Sequence, residues 1–217
     1  MRRTIGSTFM TFGIARIRRL FVLCGLLMAG NVAAAEEGSS HSDALGVWTV
    51  EQVVASLKEE RESSASFEEK THSSLLATPL MVRGVLRFTP PSRLEKEVLE
   101  PYRERYVVEG DRMTFESERK RVKKTISLED YPGLRGFVEA FRASFTGDVA
   151  QLKQMYETAL DGNREKWTLQ MRPRDPADRS MVADIVFSGS EGRISTIVIH
   201  KADGDRSVMT LRRGAAK

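Results

Sequence analysis

Only one cysteine occurs in the 217 residues, and it is Cys24, near the start. No intrachain disulfide can form, so the apolar core alone has to hold the fold. Histidine is almost as scarce. His41, His72 and His200 stand far apart, and no His-x-His or His-x3-His pair is present to converge on a metal. There is no Gly-x-Ser-x-Gly elbow, which leaves a serine hydrolase without a basis in the sequence. Ser188-Gly189-Ser190 reads instead as the approach to a hairpin. Paired carboxylates of the glycosidase kind stay open at this point, because the acids are spread through exposed-looking positions. The expectation is a protein that is not an enzyme, with no catalytic residue, no metal and no cofactor. Long apolar runs are missing too. Leu20 to Ala29 is roughly half of the ~20 residues that a helix needs to cross a bilayer.

That short run has a context. Arg16, Arg18 and Arg19 precede it, and Ala33-Ala34-Ala35 and then Glu36-Glu37 follow. A basic start, a short apolar run and small residues at −3 and −1 of a cut after Ala35 are the layout of a cleavable secretory signal. Met10 is an alternative start within the long basic leader. Leu23 stands before Cys24 where a lipoprotein signal would carry a small residue, so acylation of Cys24 is not expected. The expected plan is a signal peptide over 1–35, a flexible polar lead-in over 36–46, and one folded domain over 47–217. Export also rewrites the charge. The chain has 34 Lys and Arg against 30 Asp and Glu, and five of the arginines (Arg2, Arg3, Arg16, Arg18, Arg19) belong to the leader. That leaves 29 basic against 30 acidic residues, a formal charge of −1, and no general basicity to attract nucleic acid.

Periodicity sets the fold class. Val47 to Glu62 is read as a short amphipathic helix with Val50, Val53, Val54 and Leu57 on one face. Thr49 and Gln52 have the spacing of a capping box. From Ser64 onward the period drops to two. Alternation through Val82–Phe88, Leu94–Val98, Arg103–Glu109, Arg112–Glu116 and Val122–Leu128 predicts half-buried antiparallel strands. Asp161-Gly162-Asn163, Ser190-Glu191-Gly192 and Asp203-Gly204-Asp205 are hairpin signals. They join Gln154–Leu160 to Lys166–Met171, Ala183–Ser188 to Ile194–His200, and that strand to Ser207–Leu211. About ten strands are expected. One segment departs from the pattern: between Asp130 and Gly147, Leu134, Phe137, Val138, Phe141 and Phe145 recur at helical spacing. That stripe fits an ordinary packed helix and also fits a lid over a curved sheet with an apolar concave face.

The order of short motifs resembles the periplasmic outer-membrane lipoprotein carrier family, LolA. Ala65-Ser66-Phe67-Glu68-Glu69-Lys70 follows the first helix, and Gly84-Val85-Leu86-Arg87-Phe88-Thr89-Pro90-Pro91 comes after it. Glu100-Pro101 then leads to Tyr106-Val107-Val108-Glu109-Gly110-Asp111-Arg112-Met113-Thr114-Phe115. The resemblance implies an incomplete antiparallel β-barrel with a helical lid over an apolar cavity that receives acyl chains. Arg87 stands where the family carries a tryptophan, Pro90 where it carries a lid-holding arginine, and Thr114 near a second tryptophan. The chain is therefore similar to a divergent member.

The resemblance implies a monomeric periplasmic carrier or chaperone for an acyl chain, lipid or lipoprotein, handed toward the outer membrane. An inner-membrane exporter and an outer-membrane acceptor would be its partners. The alternative is an envelope sensor or adaptor that uses the same fold to bind a protein. Leu86, Phe88, Met113, Phe115, Trp167 and Leu169 alternate inward and are the candidate cavity wall. Leu134, Phe137, Val138, Phe141 and Phe145 are the candidate lid. Arg119, Lys120, Arg121, Lys123 and Lys124 form the densest cationic run, read as a solvated strand edge or as a docking patch for an acidic partner or anionic head groups.

Overall fold

The computed structural model describes residues 48–58 and 62–212. The expected signal peptide and lead-in, with Cys24 and His41, lie outside the described residues. The first helix, α1 (Val50–Leu57), is capped as its sequence requires. The Gln52 N–H donates to Thr49 Oγ1 at 3.3 Å and the Thr49 N–H to Gln52 Oε1 at 2.9 Å. It stops at Leu57, earlier than the periodicity implies, because Lys58 turns extended with ψ 120°. Val53, Val54 and Leu57 are buried.

Eleven strands follow among the described residues, where the alternation predicts about ten. They are β1 (Ser63–His72), β2 (Leu80–Thr89), β3 (Arg93–Glu100), β4 (Glu104–Glu109), β5 (Arg112–Ser117), β6 (Val122–Ser127), β7 (Tyr156–Gly162), β8 (Trp167–Pro173), β9 (Val182–Ser190), β10 (Arg193–Lys201) and β11 (Arg206–Arg212). All belong to one antiparallel sheet in the order β6-β5-β4-β3-β2-β1-β11-β10-β9-β8-β7. Every pair of neighbours is consecutive in the chain except β1 and β11, which join the two halves in a register that sets Phe67 opposite Leu211 and His72 opposite Arg206. The outer strands β6 and β7 do not pair with each other, so the sheet is an open half-barrel.

Curvature has local causes. On β2 the register against β3 shifts between Arg83 and Gly84. Gly84 is needed there because a Cβ would stand 1.8 Å from the Glu97 carbonyl oxygen and 2.9 Å from the Phe67 ring. Two further shifts bend β10 against β9, between Ile194 and Thr196 and between His200 and Lys201.

Three helices stand between β6 and β9. Helix α2 (Pro132–Thr146) begins with Pro132 in its first turn and ends on Gly147 at φ 81°, whose N–H caps the Ala143 carbonyl. Helix α3 (Val149–Met155) takes in the first two residues of the strand predicted over Gln154–Leu160, which starts instead at Tyr156. Its seven residues make about two turns, too few for a period to stand out, yet Asp148 caps it through the Gln151 N–H at 2.9 Å and Leu152 is fully buried. Helix α4 (Pro176–Arg179) is a single turn before β9.

The core lies between the concave face of the sheet and the helices. Its most deeply buried large side chains include Trp167, Tyr156, Phe187, Leu128, Leu152, Leu169, Met171, Ile185 and Ile197. The convex face is ionic. Glu95 is only 9% exposed there and receives hydrogen bonds from Arg87, Arg93 and Arg105.

Candidate ligand cavity

Alternation on β1 to β5 sends one side chain in two to the concave side, and a strongly bent sheet cannot press all of them against one straight helix. A cavity of about 240 Å³ remains where the bend is deepest. Its wall is built by Val82 and Leu86 of β2, Leu94 and Val98 of β3, Val108 of β4, Met113 of β5, and Ile197, Ile199 and Met209 of β10 and β11. Helix α2 covers it with Leu134, Phe137, Val138 and Phe141, and Met181 and Val182 close the side next to α4.

The aromatic stripe is continuous. Phe137 and Phe141 have ring centroids 4.8 Å apart, and Phe141 meets Phe187 of β9 edge-on at 5.2 Å. Phe145 stacks on Phe88 at 5.2 Å, and these two line a second, smaller pocket of about 40 Å³ with Leu57 and Leu211.

Of the six side chains expected in the wall, the structure brings Leu86 and Met113 to the main cavity. Phe88 lies in the smaller pocket. Phe115 is buried against Tyr106 at 4.9 Å. Trp167 and Leu169 are packed in the core, and the Trp167 indole N–H donates to the Glu191 carbonyl at 2.9 Å. Of the five expected on the covering helix, four border the main cavity and Phe145 borders the smaller one.

The wall also holds polar groups, which the apolar pattern does not predict. Glu69 of β1 is 3% exposed, yet it forms an ion pair with Lys96 of β3 and accepts a hydrogen bond from Ser207 of β11. Lys96 also lies 5.2 Å from the centre of the Phe67 ring. Lys201 at the end of β10 pairs with Asp205 at 3.3 Å. Burial pushes the Asp205 carboxyl above its ordinary range, and Lys201 opposes that shift. Glu104 accepts from the Tyr106 hydroxyl at 2.9 Å and from Lys120 at 3.2 Å. The signal for these groups was the alternation itself: Lys96 stands between Leu94 and Val98, and Glu69 two residues after Phe67.

The helix is latched to the sheet by one residue. Arg142 donates to the Ser92 carbonyl at 3.1 Å, the Gly110 carbonyl at 2.5 Å and Glu139 at 2.7 Å, tying α2 to the β2–β3 and β4–β5 turns. Arg87 faces away, on the convex side, and bonds Glu95 and Glu97. The cationic run occupies the β5–β6 turn and the start of β6. Arg119 lies 4.0 Å over the Tyr102 ring, Lys120 pairs with Glu104 and Lys123 with Glu116, and Arg121 has φ 50°. His200 hydrogen-bonds Asp184 at 2.8 Å, and no group of three or more metal-ligating side chains occurs among the described residues.

A family model described as outer membrane lipoprotein carrier protein LolA-like matches residues 42–217. The chain belongs to this family. No curated protein matches this LolA-like chain. Solved structures similar to it include a LolA superfamily protein from Nitrosomonas europaea, 12% identical over 77% of this chain and 93% of that one, with a TM-score of 0.42. An outer membrane lipoprotein-sorting protein domain from Vibrio parahaemolyticus is 12% identical over 75% and 89%, with a TM-score of 0.42. The Pseudomonas aeruginosa MucA/MucB complex contains a chain 13% identical over 76% and 56%, with a TM-score of 0.39.

Proposed function

We propose that this protein is a periplasmic, non-enzymatic carrier that holds one acyl chain or lipid tail between its sheet and α2 and passes it toward the outer membrane. The observation that carries the reading is the cavity: about 240 Å³ lined mainly by aliphatic and aromatic side chains, under a helix whose Leu134, Phe137, Val138 and Phe141 border it. Membership of the LolA-like family supports the same reading. Methionines in and beside the wall, Met113, Met181 and Met209, adapt to chains of varied shape.

Helix α2 supplies reversibility. Where its phenylalanines close over the empty space, their burial competes with the cargo and lowers net affinity, so an acceptor can strip the chain. The test is native mass spectrometry of the gently purified protein, followed by titration with fatty acids and with a triacylated lipopeptide. A discrete added mass and uptake of single-chain amphiphiles are expected. A clean apo mass with no uptake of either would refute the carrier reading and favour an adaptor that binds protein.

A further inference from the structure

One end of the β1–β6 half of the sheet is unlike the other. The register places the β1–β2, β3–β4 and β5–β6 connections together there, with Arg83 opposite Glu100, Glu104 opposite Ser117, and Ser117 opposite Val122. All six large apolar side chains that stand exposed among the described residues are at this end. Leu75 (72% exposed) and Leu76 are in the β1–β2 connection, Met81 is the second residue of β2, Leu99 is next to last in β3, Tyr102 follows β3, and Val122 opens β6. The opposite end, at residues 90–92 and 110–111, exposes none of this class.

Cations share the same rim. The three connecting segments carry Arg103, Arg119, Lys120 and Arg121 against Glu118 alone; on the adjoining strand ends Lys123 and Lys124 of β6 stand with Glu100, Glu104 and Glu116, of which Glu104 pairs with Lys120 and Glu116 with Lys123. From β1 to β6 the rim crosses five strand spacings, roughly 24 Å at ~4.8 Å each. Apolar anchors spread singly along such a line, with cations among them, do not make the concentrated central patch of a protein interface. They fit a plane with an apolar interior and an anionic surface.

We propose that this rim docks the protein on the surface of an anionic phospholipid membrane, with Leu75 and Leu76 entering the acyl boundary and Arg119, Arg121 and Lys124 meeting the phosphates. The surface is not a duplicate of the cavity, but it is placed to serve it. Glu69, Val82, Val98 and Glu104 of the cavity wall all lie within four residues of this end of their strands. Docking therefore sets the cavity beside the head-group layer, from which a chain can move in or out without crossing bulk water.

The experiment is vesicle flotation of the purified protein, expressed from the whole sequence, with every variant carrying the same N-terminus. Phosphatidylglycerol–phosphatidylethanolamine vesicles are compared with pure phosphatidylcholine at low and high salt. The expected result is flotation with the anionic vesicles at low salt, falling at least about tenfold with phosphatidylcholine or high salt. Leu75→Ser/Leu76→Ser should lose at least about tenfold at either salt. Arg119→Gln/Arg121→Gln/Lys124→Gln should lose the preference for anionic lipid. Both variants should keep the wild-type melting temperature and uptake of a fluorescent fatty acid, because their side chains stand outside the cavity. Wild-type protein that floats with neither vesicle, or variants that float as well as the wild type, would overturn the proposal. Loss of cargo uptake in the wild type would instead strike the carrier reading and leave the docking result standing.

Discussion

Glu95 is where the convex face is most sensitive to charge. Its buried carboxylate accepts from Arg105 through two nitrogens at 3.0 Å, and also from Arg87 at 3.1 Å and Arg93 at 3.2 Å. The Arg105 hydrogen bonds, more than any other group, hold its pKa below the ordinary 4.5, against the opposing effect of burial. A lowered carboxyl pKa stabilises the fold fully above the unfolded value, and the stabilisation is lost as pH falls through the lower folded value. Glu95→Gln should therefore cost about 1.5–3 kcal/mol at neutral pH. The gap in melting temperature between variant and wild type should narrow steadily below pH 4.5. A gap that is constant from neutral to acid pH would show that packing, not charge, holds this position. Gly84 makes the complementary point about backbone. A methyl group there meets a carbonyl oxygen at 1.8 Å, so Gly84→Ala should destabilise by about 1–3 kcal/mol, read from urea denaturation. The same residue was visible in the sequence as the opening of the Gly-x-Leu motif, whereas its reason, the Glu97 carbonyl across the bulge, was not.

At the scale of elements, α2 has two jobs that pull apart. Phe141 is 7% exposed and wedged against Phe187, while Phe137 is half-buried and faces the cavity. Phe141→Ala should cost about 3–5 kcal/mol, as in a packed core. Phe137→Ala should cost only about 1–1.5 kcal/mol, because less of its surface is withdrawn from water, and should change the chain length that is taken up. Equal losses of stability with unchanged uptake would mean that α2 is simply a packed helix. Arg142 bears on the same question. Replacing it with Met removes the ties to Ser92 and Gly110, at about 1.5–3 kcal/mol. Fluorescent fatty acid should then exchange faster in stopped-flow mixing, and an unchanged rate would rule out the latch. The phenylalanine stripe and its boundaries were legible from period and from Pro132 and Gly147 at the ends. The latch was not, since it joins a side chain to backbone carbonyls 32 and 50 residues away. Nor was the true wall of the cavity. Taking large apolar residues at inward positions includes Trp167 and Leu169, which the core absorbs. The strands nearest the mouth instead turn in Glu69, Lys96 and Glu104, because alternation fixes the face a residue occupies and not its polarity.

The whole molecule hangs on a seam between its first and last strands. Local hairpins build β1–β6 and β7–β11 separately, and only β1 with β11 makes them one sheet. Paired residues there are as far apart as Ser66 and Arg212, so the loop closed by that pairing is nearly the whole folded chain. Strand pairing was readable wherever a turn signal joined neighbours, and unreadable here, because no local chemistry marks a partner that distant. Closing such a loop must precede its reward, so folding should be slow for the size of the chain, in milliseconds to seconds. The seam also carries Glu69, whose Ser207 partner comes from β11, and Met209, which lines the cavity. A chain ended after Asp205 should therefore lose far more than one strand. It should show no cooperative thermal transition, and near-ultraviolet circular dichroism should report no fixed tertiary packing. Met209→Ala, which keeps the seam and removes one side chain, should fold with a loss of about 2–5 kcal/mol. A truncated chain that still melts cooperatively would mean that each half of the sheet holds its own core.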